Sequence, residues 1–189
     1  DATDRAPAPA THNGNHHGCR GALAAGLPHL LHQPASLLRL WRATRGLGLG
    51  TKGLAYAAEA AMVARWMQDR QLAHLHVHFG NAGATVGLLT KAMLGCHLSY
   101  TIHGPDEFDD VGGQHLPVKM QEADVVVCIS QFARSQLMRI SDSDHWHKMQ
   151  VCRLGVDPAQ FPYRSRVASE VVQLLCVGRL TPAQCQVLL

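Results

Sequence analysis

Leu98–Phe108, LSYTIHGPDEF, is an apolar run that stops at His103-Gly104-Pro105, with two acids, Asp106 and Glu107, directly behind it. A strand that ends in a ring nitrogen, a glycine and a proline delivers backbone and imidazole to a fixed point in space. Gly104 has no side chain to hold a ligand off the main chain, and Pro105 has no amide proton with which to continue a ladder. An ordinary strand-to-loop exit is the plainer account of the same residues. The ends of the neighbouring strands decide between the two.

Working outward, the chain from Leu72 alternates short apolar runs with helical patterns. Strands are expected at His74–Phe79, Cys96–Ile102, Asp124–Ile129 and Met149–Arg153. Between them come a helix carrying Val86, Leu89 and Met93 and closed by Gly95, a loop over 106–117 with a short helix near Val118–Glu122, and a helix with Ala133, Leu137 and Ile140. Ser130 reads as the cap of that last helix; no G-x-S-x-G elbow surrounds it, as a nucleophile would require. Alternating strands and helices give an α/β, Rossmann-like parallel sheet with flanking helices and right-handed crossovers. In such sheets the carboxyl ends of the strands share one edge, where ligands bind. The exits here are Phe79-Gly80-Asn81, His103-Gly104, Ser130 and Arg153-Leu154-Gly155, closed by Asp157. Four small, polar or ring-bearing exits in register predict a polar crevice lined by Gly80, Asn81, Gly104, Ser130, Gly155 and Asp157. Asp106 has two readings there, a base or a solvated loop acid.

Before this unit, residues 1–34 are rich in Ala, Pro, His and Gly and are expected to be a disordered lead-in. The Rossmann-like domain is expected over 35–157, incomplete at its N-terminus. It opens with a basic amphipathic helix, with Leu37, Leu38, Leu40 and Trp41 on one side and Arg39, Arg42 and Arg45 turned away. This Leu37–Arg45 helix reads either as a peripheral contact with an anionic membrane or as an ordinary surface helix. A buried helix follows from Leu54 to Arg70, in which Trp66, like Trp41, is expected to pack; Trp146 reads as a loop aromatic. Residues 158–170 read as an interdomain linker. Residues 171–189 then begin a second domain, with a strand, the exit Gly178-Arg179-Leu180 and a helix start at Thr181-Pro182. A guanidinium beside free helix amides suits a diphosphate.

The whole chain has 189 residues, 47% apolar and 16% charged, which is a globular composition. Its net charge of +3 is uneven, with no acid between Asp4 and Glu59. That basic first third suits phosphates or an anionic surface, but scarce aromatics and the lack of any RNA-binding or zinc-finger pattern argue against nucleic acid as a partner. Six cysteines without C-x-x-C pairing read as small core residues in a reducing compartment. With no signal peptide and no membrane-length apolar run, the expected location is the cytoplasm, with the membrane's inner face as the place for any peripheral contact. His74, His76 and His78 alternate on one strand face as metal ligands do, yet no acid or Cys joins them at ligand spacing, so no metal site is expected.

The runs HLHVHFGNAGATV, YTIHGPDEFD, VVVCISQFARSQLMR, VCRLGVDPAQF and LLCVGRL resemble family 4 glycosyltransferases of the GT-B type with two Rossmann domains, above all bacterial ones that build exopolysaccharides such as colanic acid. The resemblance spans about Leu72–Leu180. It implies transfer of a sugar, with retention, from a nucleotide-diphosphate sugar to a glycan or lipid-linked acceptor, with no metal or other cofactor required. By position, His103 is then the catalytic-cleft residue against the donor sugar, and Gly178 and Arg179 bind the donor diphosphate. Where the family carries Lys and Gly after that Arg, this sequence has Gln184 and Cys185. The family's paired donor-binding glutamates would fall past Leu189, and its first glycine-rich loop is not found. On this reading the 189-residue chain holds about half of an active site and is expected to be inactive alone. The alternatives are a non-catalytic remnant and, further off, a histidine-based metal protein.

Overall fold

The computed structural model describes residues 34–161 and residue 163. The lead-in before residue 34, most of the linker and the second-domain residues, Gly178 and Arg179 among them, lie outside the described residues. Four strands, β1 (His74–His78), β2 (His97–Ile102), β3 (Val125–Cys128) and β4 (Met149–Val151), form one sheet in the order β1-β2-β3-β4. Every neighbouring pair is parallel. The helices are α1 (Pro34–Gly46), α2 (Lys52–Asp69), α3 (Ala82–Leu94), α4 (Pro105–Phe108), α5 (Leu116–Glu122) and α6 (Gln131–Ile140). The fold is thus the α/β Rossmann-like sheet with flanking helices that the alternation implies.

Period-2 patterning sorts the strand residues. Leu98, Tyr100 and Ile102 of β2, Val126 and Cys128 of β3 and Met149 of β4 form one core with Ala84 of α3, Met120 of α5 and Ala133 and Leu137 of α6. These helices therefore cover the same face, as expected for right-handed crossovers that always step the same way. Tyr100 is fully buried and its hydroxyl donates to the Ala84 carbonyl at 3.1 Å, which satisfies the one polar atom it takes into the core. The alternate residues, His74, His76 and His78 of β1 with Ser99 and Thr101 of β2, share the opposite face.

Helix ends follow local chemistry. Asn81 Oδ1 accepts from the Gly83 amide at 3.1 Å and Ser130 Oγ from the Ala133 amide at 3.1 Å, so each starts its helix. Gly95 closes α3 at φ 70°, in the left-handed region that glycine enters freely. At the amino edge of the sheet, Asp124 Oδ2 accepts from the Leu98 amide at 2.7 Å and from Lys91 Nζ at 2.8 Å. Although partial burial opposes it, these bonds hold the Asp124 carboxyl below its usual range.

Four details depart from the sequence reading. In α1, Leu40 turns inward and Leu37 packs beside it, but Leu38 and Trp41 are 45% and 55% exposed, and the Arg45 guanidinium lies 4.9 Å over the Trp41 ring. Arg39 is instead drawn back: its Nη2 donates to the Met93 carbonyl at 2.7 Å, where Ser36 Oγ also donates at 3.1 Å. The open last carbonyls of α3 need donors, and that need rotates the helix. Cys96 and Cys128 are buried thiols, the latter pushed up to about 11 by burial, but Cys152 is exposed because it follows the short β4. Part of the stretch expected to be loop forms α4, and Trp146 belongs to a 3-10 helix over Ser143–Lys148.

Candidate functional site

Three of the expected exits meet at the carboxyl edge of the sheet, and the residue that joins two of them is Glu107. It is 5% exposed. Its Oε2 accepts from the amides of His103 at 2.6 Å and Gly104 at 2.9 Å, and its Oε1 from the amide of Gly80. One carboxylate thereby ties the end of β2 to the end of β1. Hydrogen bonds to an ionised acceptor are the stronger kind, and three of them satisfy backbone donors that a strand exit otherwise leaves open.

Gly80 is buried for the same reason. A Cβ there would stand 2.6 Å from Leu116 Cδ2 and 3.1 Å from Glu107 Oε1, so glycine is what allows the carboxylate to arrive. Gly104 differs, since a Cβ on it would meet nothing within 4 Å. From the other side comes Lys119, with no exposed surface, whose Nζ donates to the carbonyls of Gly80 at 2.8 Å and Asn81 at 2.9 Å. Burial pulls the Lys119 ammonium down to about 8, with the Glu107 charge opposing that shift. A buried anion takes amides of both exits, and a buried cation takes the carbonyls of the β1 exit. Neither residue stands out as a site residue in the sequence.

Above this clamp sits a run of rings. The half-buried His103 brings its Nε2 to within 3.1 Å of Nδ1 of the exposed His78. The ring of Phe79 stacks on His103 at 4.3 Å between centroids and 28° between planes. Phe79 has φ 68°, a conformation uncommon for a bulky residue, and its amide donates to the Thr101 carbonyl at 2.8 Å. Further back, His76 bonds Ser99 Oγ through Nδ1 at 2.6 Å and Thr101 Oγ1 through Nε2 at 2.9 Å, while His74 Nε2 shares the same Ser99 hydroxyl at 2.7 Å. Partial withdrawal from water, and then the rings of His78 and His74, hold His76 below the usual imidazole range. The alternating histidines thus direct ring nitrogens to the Ser99 and Thr101 hydroxyls and, at His78, to the His103 ring. Among the described residues, no group of three or more His, Cys, Asp or Glu is arranged to hold a metal ion.

The remaining expected residues lie around this centre. Asn81 is exposed at the head of α3, and Ser130 is half-buried at the head of α6; the Ile129 amide before it donates to the Ile102 carbonyl at 3.4 Å, beside the β2 exit. Gly155 is exposed with open space around it. Asp157, also exposed, caps a short turn by accepting from the Ala159 amide at 3.0 Å. His103, Gly104, Gly80 and Asn81 are brought together through Glu107 and Lys119, whereas Gly155 and Asp157 have no described bond to them. Chemically, this edge offers an accessible imidazole, an aromatic ring and helix-capping polar groups on a fixed backbone.

Among the described residues, no helix is long and apolar enough to cross a membrane. No curated protein and no solved structure matches the chain at a significant level. A family model does: residues 3–160 match Glycosyltransferase Family 4, and the chain belongs to that family.

Proposed function

We propose that this protein serves a retaining glycosyl transfer of the GT-B type, from a nucleotide-diphosphate sugar to a glycan or lipid-linked acceptor in exopolysaccharide assembly, with the described domain on the acceptor side. The observation that carries the site is His103: a partly accessible imidazole at the carboxyl edge of a parallel sheet, with its backbone fixed by a buried carboxylate. His103 meets the donor sugar, and Gly80, Asn81, Gly104 and Ser130 line the cleft around it. Gly155 and Asp157 extend that lining toward the linker. Arg179, after Gly178, pairs with the donor diphosphate and offsets the charge that develops on it as its bond to the anomeric carbon breaks. The acceptor hydroxyl oxygen bonds that carbon with the original configuration, and its proton passes to an oxygen of the departing diphosphate. No metal is needed on this reading, since the guanidinium supplies the positive charge. The exposed Leu38 and Trp41, together with Arg42 and Arg45, suit peripheral contact with an anionic membrane at its cytoplasmic face.

The test is ligand-observed NMR of the full chain with a panel of nucleotide-diphosphate sugars and oligosaccharides, followed by transfer of a radiolabelled sugar. Expected are glycan signals from the acceptor side, nucleotide-sugar signals that His103→Ala weakens, and turnover, where present, that Arg179→Ala removes. Glycan binding without turnover favours the non-catalytic alternative. No binding of either ligand class, or nucleotide-sugar binding indifferent to His103→Ala, overturns the proposal.

A further inference from the structure

We infer that His78 is a positioning residue for His103, holding that ring as the Nε2–H tautomer so that its Nδ1 is left as the acceptor presented to a sugar hydroxyl. The inference rests on the reading of His103 as the group that faces the sugar. Parallel register pairs His78 with Thr101, and the Phe79 amide extends the ladder by one bond to the Thr101 carbonyl. Alternation then puts His103 on the face that carries Ser99, Thr101 and the β1 histidines, so the two rings meet across the strand ends. The contact runs from His78 Nδ1 to His103 Nε2 at 3.1 Å. One of these nitrogens must carry the proton and the other must not.

Two arrangements satisfy that bond. If His78 donates, both rings must be Nδ1–H, the less stable form of a free neutral imidazole side chain. If His103 donates, both are Nε2–H, the more stable form, and the bond forms without tautomeric cost. The second arrangement also leaves the His78 Nε2–H free to donate to water from its exposed ring. Two further contacts fix the ring planes: Phe79 stacks on His103, and His76 meets His78 edge-on at 5.0 Å and 80°. With its amide held by Glu107 and its Nε2 held by His78, His103 has Nδ1 as its one ring nitrogen that no described residue bonds. A hydroxyl that donates a hydrogen bond fits that position, and a second donor does not.

Long-range proton–nitrogen correlation spectra of the full chain, labelled with nitrogen-15 in its histidines, test this at about pH 8, above the usual imidazole range. The wild-type His103 ring should show a single Nε2–H pattern. His78→Ala should replace it with an averaged, two-tautomer pattern, and His78→Asn, whose amide oxygen can accept near the place of Nδ1, should restore it. Nucleotide-sugar binding should weaken in the first variant and recover in the second. An Nδ1–H pattern in the wild-type ring overturns the inference, and so does a His103 pattern unchanged by His78→Ala. If His78→Ala does not fold, His78→Phe, which keeps a ring there but cannot accept a hydrogen bond, takes its place. The ring spectrum needs no ligand, whereas loss of nucleotide-sugar binding in His103→Ala tests the underlying reading, so either can fail without the other.

Discussion

Replacing Glu107 by glutamine keeps the shape of the side chain and removes half of its accepting capacity. The amide oxygen should turn toward the His103 and Gly104 amides, because the opposite orientation would confront two backbone donors with an NH2 group. That leaves the Gly80 amide facing a donor, at a position where Leu116 and Ile102 leave little space for water. Two buried donors without partners cost about 1–3 kcal/mol each. The bonds to His103 and Gly104 also pass from charge-assisted to neutral, which adds roughly 1 kcal/mol. The expected loss is therefore about 3–7 kcal/mol before relaxation, a large part of the 5–15 kcal/mol typical of a domain. Urea unfolding reads it as a lower midpoint at unchanged slope. Native-state amide exchange should speed up first at Gly80 and less at His103 and Gly104. A loss under about 1 kcal/mol, or exchange that rises evenly over the domain, would refute the claim that this carboxylate satisfies the strand exits.

Lys119→Met probes the other half of the clamp through pH. Folded Lys119 releases its proton near 8, against about 10.4 for an unfolded lysine, so between these values the unfolded chain binds more protons. Wild-type stability should consequently gain a rising contribution from about pH 8 to about pH 10.4, and the variant should lack it. Parallel curves of urea midpoint against pH for the two proteins would remove Lys119 as the cause. On the outer face, Trp41→Ala should lower co-sedimentation of the chain with anionic vesicles, and raised salt should lower it further, since both the exposed ring and the nearby arginines contribute. Equal sedimentation of wild type and variant would assign α1 to packing alone.

The sheet could be read from the sequence because its signals are local. Each strand is a run of apolar, β-branched or alternating residues bounded by a turn residue, and the observed ends differ from the expected ones by at most two positions. Ser130 announces a helix start by its hydroxyl, and Gly95 a helix end by having no side chain. The orientation of α1 was not readable, because a helical wheel cannot show that the Met93 carbonyl will claim Ser36 and Arg39. The clamp was half readable. Gly104-Pro105-Asp106-Glu107 has the spacing of a helix start, with proline in the first helical position and glutamate in the third, where its carboxylate reaches back to the cap amide. That the same carboxylate also takes the Gly80 amide, 27 residues away, depends on tertiary placement and leaves no local trace. Lys119 sits in an apolar run, LPVKM, where a charge reads as the solvated face of a short helix.

Strand β2 is fastened at both ends by carboxylates, by Asp124 at its first residues and by Glu107 beyond its last. These fastenings reach out in opposite directions, toward β3 and Lys91 at one end and toward the β1 exit at the other. Sliding β2 along its neighbours would break charge-assisted bonds at both ends at once, so the strand behaves as a datum line for the domain. The position of the sheet edge is therefore set from β2, and His103, one residue beyond its end, is held as firmly as the strand itself.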